Sequence, residues 1–217
     1  MRSGHAHILA LACLAAGAVA APVRAFTLSY SATLPVQTTS WAYAVEIPRF
    51  NPAMGVLQSV TVSVRDSLVA GFMFENLSSI AGASMRDSSR AVVQVLRPDN
   101  SGIVSASAAV ERTASVGVFD GWLDYAGTSG VTLGPVVAVG TASAILVGGA
   151  DISMFSGLGN VSLPCRATGF ASLSSVGENN RNIVTTAAGC AVTVTYTYLR
   201  TTRVAASTWG TLRRQYR

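Results

Sequence analysis

From Phe26 onward, apolar and polar residues alternate with a period of two. Phe26, Leu28, Tyr30, Ala32 and Leu34 alternate with Thr and Ser. Trp41, Tyr43, Val45 and Ile47 form a second run, and Val60, Val62 and Val64 a third. The last run is the clearest, with Val192, Val194, Tyr196 and Tyr198 on one face and Thr193, Thr195 and Thr197 on the other. A period of two places alternate side chains on opposite faces of a strand, and β-branched and aromatic residues suit a half-buried pleated surface. Turn-forming clusters separate the runs: Asn51-Pro52, Arg97 to Gly102, Gly127 to Gly130, Gly148-Gly149 and Gly177 to Asn180. The pattern predicts an all-β fold, a two-sheet antiparallel β-sandwich that is jelly-roll-like and has about ten strands. A short turn near Asp151–Phe155 is the one stretch with helical character.

Between Asp124 and Asp151 lie 26 uncharged residues, long enough to cross a bilayer as a helix. Pro135 and the glycines at 127, 130, 134, 140, 148 and 149 would break such a helix repeatedly. Val131-Leu133 and Val136-Val139 therefore read as buried strands joined by turns, and no transmembrane helix is expected in the mature chain.

Residues 1–25, MRSGHAHILALACLAAGAVAAPVRA, have the layout of an export signal. Arg2 gives a positive start, Ile8 to Ala16 an apolar core, and small residues follow. Two cleavage frames fit, Ala18-Val19-Ala20 and Val23-Arg24-Ala25. Cleavage after Ala25 is preferred because the alternating pattern begins at once with Phe26. An uncleaved anchor and a lipid attachment at Cys13 are the alternatives. The organisation expected is thus a signal peptide (1–25), a β-sandwich (26–199) and a basic tail (200–217), in a protein that is extracellular or on the cell surface.

Half of the 217 residues are hydrophobic and 12% are charged, with a mean hydropathy of +0.44. Such a chain buries enough surface to fold, which excludes disorder and charged helical bundles. The formal charge of +5 is concentrated at the ends. All 15 basic residues are Arg, yet 26–199 holds eight of them against all ten acids, a net of −2. A mildly acidic body argues against nucleic-acid binding. Export would put Cys165 and Cys190 in an oxidising setting, where a disulfide is expected, closing a loop of about 25 residues worth roughly 3 kcal/mol. Two small buried thiols are the alternative.

A family resemblance rests on a series of motifs in order. It begins with Leu34-Pro35-x-Gln37-Thr38-Thr39-x-Trp41 and Pro48-x-Phe50-x-Pro52-x-x-Gly55-x-Leu57-x-Ser59-Val60. Glu75-Asn76-Leu77-Ser78 and Phe119-Asp120-Gly121-x-Leu123-Asp124-x-x-Gly127-Thr128-Ser129-Gly130 follow. The series closes with Phe155-x-Gly157-x-Gly159-x-Val161-x-Leu163-Pro164 and Ala188-Gly189-x-x-Val192 to Tyr198. Across nearly all of 26–199 this resembles the choice-of-anchor E domain of exported bacterial surface proteins, often sorted by a PEP-CTERM signal. The resemblance implies a surface-directed β-sandwich and brings no catalytic residues and no cofactors. Residues 199–217, LRTTRVAASTWGTLRRQYR, have the expected arginines but neither a PEP motif nor an apolar span. The segment reads as a plain terminal tail, as an envelope contact through its arginines with Trp209, Leu212 and Tyr216, or as the remnant of an anchor.

Both histidines, His5 and His7, lie in the leader, and the chain has no Lys. A chain cleaved after Ala25 therefore cannot build a Ser-His-Asp triad, a Cys-His pair, a Lys Schiff base or a His-ligated metal site. Gly148-Gly149 lies between expected strands and forms no nucleotide-binding fingerprint. Carboxylate-only chemistry survives, because a glycosidase needs two acids flanking the scissile bond. Asp120 and Asp124 around Trp122 are the candidates for that chemistry, or for calcium, although Asp at such corners commonly caps backbone N–H groups. Trp122 and Tyr125 are candidate glycan contacts. Trp41 and Tyr43 share the parity of Val45 and Ile47 and are expected in the core. Asn76 and Asn160 sit in Asn-x-Ser sequons and carry little information. The expectation is a non-catalytic surface or matrix protein with a structural or adhesive role and a polysaccharide as its candidate partner. A carbohydrate-binding module is the alternative, and a carboxylate hydrolase a distant one.

Overall fold

The computed structural model describes residues 24–200 except Glu178. Eight strands form two four-stranded sheets: β1 (Ala25–Thr38), β2 (Trp41–Pro48), β3 (Val56–Asn76), β4 (Ala83–Leu96), β5 (Gly102–Val116), β6 (Gly130–Leu146), β7 (Asn160–Val176) and β8 (Asn180–Leu199). The first sheet has the order β1-β8-β3-β6 and the second β2-β7-β4-β5, and all strand pairs are antiparallel. The pairs β1·β8, β2·β7, β3·β6 and β4·β5 nest inside one another, as in a long hairpin rolled up with β4·β5 at its tip. This is the jelly-roll arrangement, a double sheet of eight strands.

Among the described residues there are eight strands rather than about ten, because the strands are long. Val131-Leu133 and Val136-Val139 belong to one strand, β6, whose register against β3 shifts between Ala70 and Phe72. Gly134-Pro135 lies at that irregularity. Pro is tolerated there because β6 is an edge strand, where a missing N–H need not break a ladder. For the same reason the expected burial of these valines is corrected: Val137 is 65% exposed and Val139 46%. A Cβ on Gly140 would run into the Ser107 carbonyl, so glycine lets β6 approach β5 where the two sheet edges meet. A seven-residue helix, α1 (Gly149–Phe155), follows Gly148 and takes in the stretch near Asp151–Phe155 expected to have helical character, so the glycine pair does not lie directly between two strands.

The inward faces of the two sheets form the interior, which divides into two apolar clusters. The larger contains Ile47, Val62, Leu68, Val93, Leu163, Val194 and Tyr196, and the smaller Phe72, Phe74, Ala83 and Met85. Between them Asp87 accepts hydrogen bonds from Arg112 at 2.5 and 3.1 Å and from the Ser89 hydroxyl at 3.3 Å. Arg112 also donates to the Ala70 carbonyl of the facing sheet at 3.2 Å. The buried ion pair thus has the extra hydrogen bonds that make burying two charges tolerable. At the β1/β2 side, Trp41 Nε1 donates to the Ala188 carbonyl at 3.0 Å and the Tyr196 hydroxyl to the Pro48 carbonyl at 2.7 Å. Both bonds tie β2 to β8 across the sandwich, and burial raises the Tyr196 phenol well above its ordinary pKa.

Candidate functional site

The loop joining β5 to β6 carries Asp120, Trp122, Asp124 and Tyr125, and it is fastened from below by two buried residues at the end of β3. Glu75 is fully buried. One of its carboxylate oxygens accepts from the Tyr125 backbone N–H at 2.7 Å and the other from the Ser129 hydroxyl at 2.5 Å. Asn76, also buried, donates its side-chain amide to the carbonyls of Ala81 and Gly117 at 2.8 and 2.7 Å and accepts from Ser78 N–H at 3.1 Å. Phe119 N–H donates to Ser78 O, which joins this loop to the one between β3 and β4. Tyr125 turns through a left-handed backbone conformation, with φ of 56°, as it passes over Glu75.

Within the loop the acids hold the backbone. Asp120 accepts from Trp122 N–H at 3.1 Å through one oxygen and from Thr128 N–H at 3.2 Å through the other. These bonds, that from Trp122 first, keep its carboxyl below the usual range. Asp124 accepts from Ala126 N–H at 3.0 Å. Such Asx-type caps satisfy turn N–H groups that lack strand partners. No group of three or more His, Cys, Asp or Glu among the described residues is placed to hold a metal ion. Trp122 stands clear of the loop at 75% exposure, whereas Tyr125 is half-buried.

The two cysteines meet from opposite sheets. Cys165 lies within β7 opposite Tyr43 and Val95, and Cys190 within β8 opposite Leu34 and Asp66. Both are buried and approach to 4.2 Å without a bond between them. The expected disulfide is therefore not formed here. β7 and β8 are consecutive in the chain but belong to different sheets, so the two thiols face each other across the interior. The Cys165 thiol donates to the Leu163 carbonyl at 3.7 Å. The adjacent Cys165 thiol, and then burial, push the Cys190 thiol well above its ordinary range.

Asp66 was not singled out by motif, yet it lies beside Cys190 in the interior with no exposed surface. One of its oxygens accepts from Ala108 N–H at 3.1 Å, and the other has no hydrogen-bond partner among the described residues. Burial pushes its carboxyl up to about 6. Its signal in the sequence is parity: 66 falls in step with Val60, Val62 and Val64. Trp41 is buried as expected, but Tyr43 is 49% exposed because β2 is an edge strand, and its assignment to the core is corrected. The expected signal peptide up to residue 23 and the expected tail from residue 201 lie outside the described residues, as do Cys13 and the tail aromatics. Arg200 is described, and its guanidinium sits 4.1 Å from the centre of the Phe26 ring.

No family model matches the chain, and no curated protein matches it. Among solved structures, one of infectious bursal disease virus, Gt strain, overlaps 85% of this chain and 42% of its own at 9% identity, with a TM-score of 0.15. A viral particle of the same virus overlaps 88% of this chain and 44% of its own at 10% identity, with a TM-score of 0.16. The chain spans less than half the length of these structures, and overlaps this poor carry no argument.

Proposed function

We propose that this chain is an exported, non-catalytic surface or extracellular-matrix protein with a structural or adhesive role. The observation that carries the reading is the use of its candidate acids. Both oxygens of Asp120 accept main-chain N–H groups of the loop, and Asp124 caps Ala126. Carboxylates so engaged stabilise a turn rather than flank a scissile bond. The leader-like first 25 residues and the choice-of-anchor E resemblance support export. Closure of Cys165 and Cys190 into a disulfide in an oxidising compartment would link the two sheets covalently. The test is complementation: cells lacking the chain should lose surface adhesion or matrix cohesion and regain it equally with the wild type and with Asp120→Asn/Asp124→Asn. Sugar release that disappears in the double variant would overturn the reading in favour of a hydrolase.

A second reading, a carbohydrate-binding module, draws on Trp122. Its ring is 75% exposed on a loop that Glu75 holds in place, the arrangement of a stacking platform. Trp122→Ala should then abolish retention on an insoluble glycan without lowering the melting temperature. Unchanged retention would remove this reading.

A further inference from the structure

The outer face of the β1-β8-β3-β6 sheet is built from hydroxyls in register. Ser29, Thr195 and Thr61 form one row that ends at the exposed Ile145 on β6, and Ser31, Thr193, Ser63 and Ser143 form the next across all four strands. The Ser29–Thr195 and Ser31–Thr193 hydroxyls are hydrogen-bonded at 2.8 Å. In the row after that, Arg65 stands between Ala191 and Thr141. Ser63, Arg65, Thr141, Ser143 and Thr193 line an open groove of about 470 Å³ on this face.

The charge of the face has one sign. Of the two acids in this sheet, Asp66 is on its inner side, while Glu75 shares the outward parity of Arg65 but is sealed beneath the β5–β6 loop at the far end of β3; both are fully buried. The other described acids belong to the second sheet, to loops or to α1. Arg65 donates to the Ser67 hydroxyl at 3.0 Å and forms no salt bridge among the described residues. The second sheet supplies an internal comparison. Its outer face has a groove of about 500 Å³ with the same recipe, Ser84, Thr113, Ser115 and Ser174 around Arg86. There, however, Glu111 lies 2.6 Å from the guanidinium and neutralises it.

We propose that the Arg65 groove binds a carboxylate-bearing polysaccharide, with Arg65 pairing the carboxylate and the flanking Ser and Thr hydroxyls meeting the sugar hydroxyls. A planar guanidinium matches a carboxylate through two parallel N–H bonds. Hydroxyls both donate and accept, which suits a polyhydroxylated chain. Arg86 does not serve the same ligand, because its charge is already matched. The inference deepens the proposed surface or matrix role by naming the class of polymer, and it rests on that reading.

Polygalacturonate is the probe and uncharged dextran the control, with retardation of the full chain measured by affinity electrophoresis. The wild type should be retarded by polygalacturonate and not by dextran, and the effect should weaken as salt rises. Arg65→Gln should weaken the apparent affinity by about tenfold, the worth of one charge-assisted hydrogen bond. Arg86→Gln should leave it unchanged, and circular dichroism melting should show that both variants fold. Absence of retardation, equal retardation by dextran, or equal loss in the two variants would each overturn the inference. Loss of binding only in Trp122→Ala would overturn it too, in favour of the loop. A protein that complements adhesion but ignores polygalacturonate would sink this inference and leave the surface role standing.

Discussion

Asp66 holds its proton more tightly in the folded chain than a free carboxyl does, because burial disfavours the charged form and the one backbone N–H it accepts only partly offsets this. Its contribution to stability is therefore fully present below about pH 4 and lost as pH rises through about 6, a change on the order of 3 kcal/mol. Urea denaturation should show the wild type weakening between pH 4 and 7, with Asp66→Asn removing most of that slope. An unchanged slope in the variant would show that another group carries it. Glu75 makes the opposite case, an interior carboxylate with both oxygens satisfied. Glu75→Ala would leave the Tyr125 N–H and the Ser129 hydroxyl unpaired and should cost about 2–4 kcal/mol, with faster hydrogen exchange across residues 117–129. Asp66 could be read from the sequence by counting in twos along β3. Glu75 could not, because it follows Phe74 in a strand whose last three residues are all buried, and only the loop folding over them explains why.

Strand patterning was readable wherever one face is buried against the other sheet. β8 from Cys190 to Leu199 and β3 from Val60 to Phe74 alternate without a break, and their inward residues Val62, Val64, Val192 and Val194 are all in the core. The reading failed at edges, because an edge strand keeps its alternation while its end residues lose cover. Tyr43 in β2 and the valines of β6 are the instances, and nothing local to either run reveals that it has only one neighbour. Burial therefore sets the cost of substitution: Leu68→Ala, on the central strand β3, should cost about 2–5 kcal/mol, and Val137→Thr on β6 less than about 0.5 kcal/mol. Equal losses at the two positions, measured by thermal melting, would contradict this division. The cysteines could be paired by arithmetic, but the sequence did not show that they lie on facing sheets. If they close, the oxidised form should gain roughly 3 kcal/mol over the reduced one, and a reductant should lower its melting temperature. Identical melting with and without reductant, in a sample whose mass shows the bond, would contradict the gain.

At the scale of the whole molecule, the jelly-roll order follows from a nested hairpin whose alternate residues face a common interior. The loops at one end are fastened to that interior by Glu75 and Asn76, while the broad outer faces carry Ser, Thr and Arg. Neither the Asp120 turn nor the cysteine pair presents an exposed, paired set of reactive groups, which is why the account assigns binding and cohesion rather than turnover. Export is the central claim, and it rests on the first 25 residues. The most direct test is the intact mass of the protein recovered separately from the medium and from the washed cell surface of its native culture. The account predicts a chain beginning at Phe26, outside the cell, and lighter by two hydrogens if Cys165 and Cys190 have joined. Recovery only from inside the cell, with residues 1–25 still attached, would contradict it.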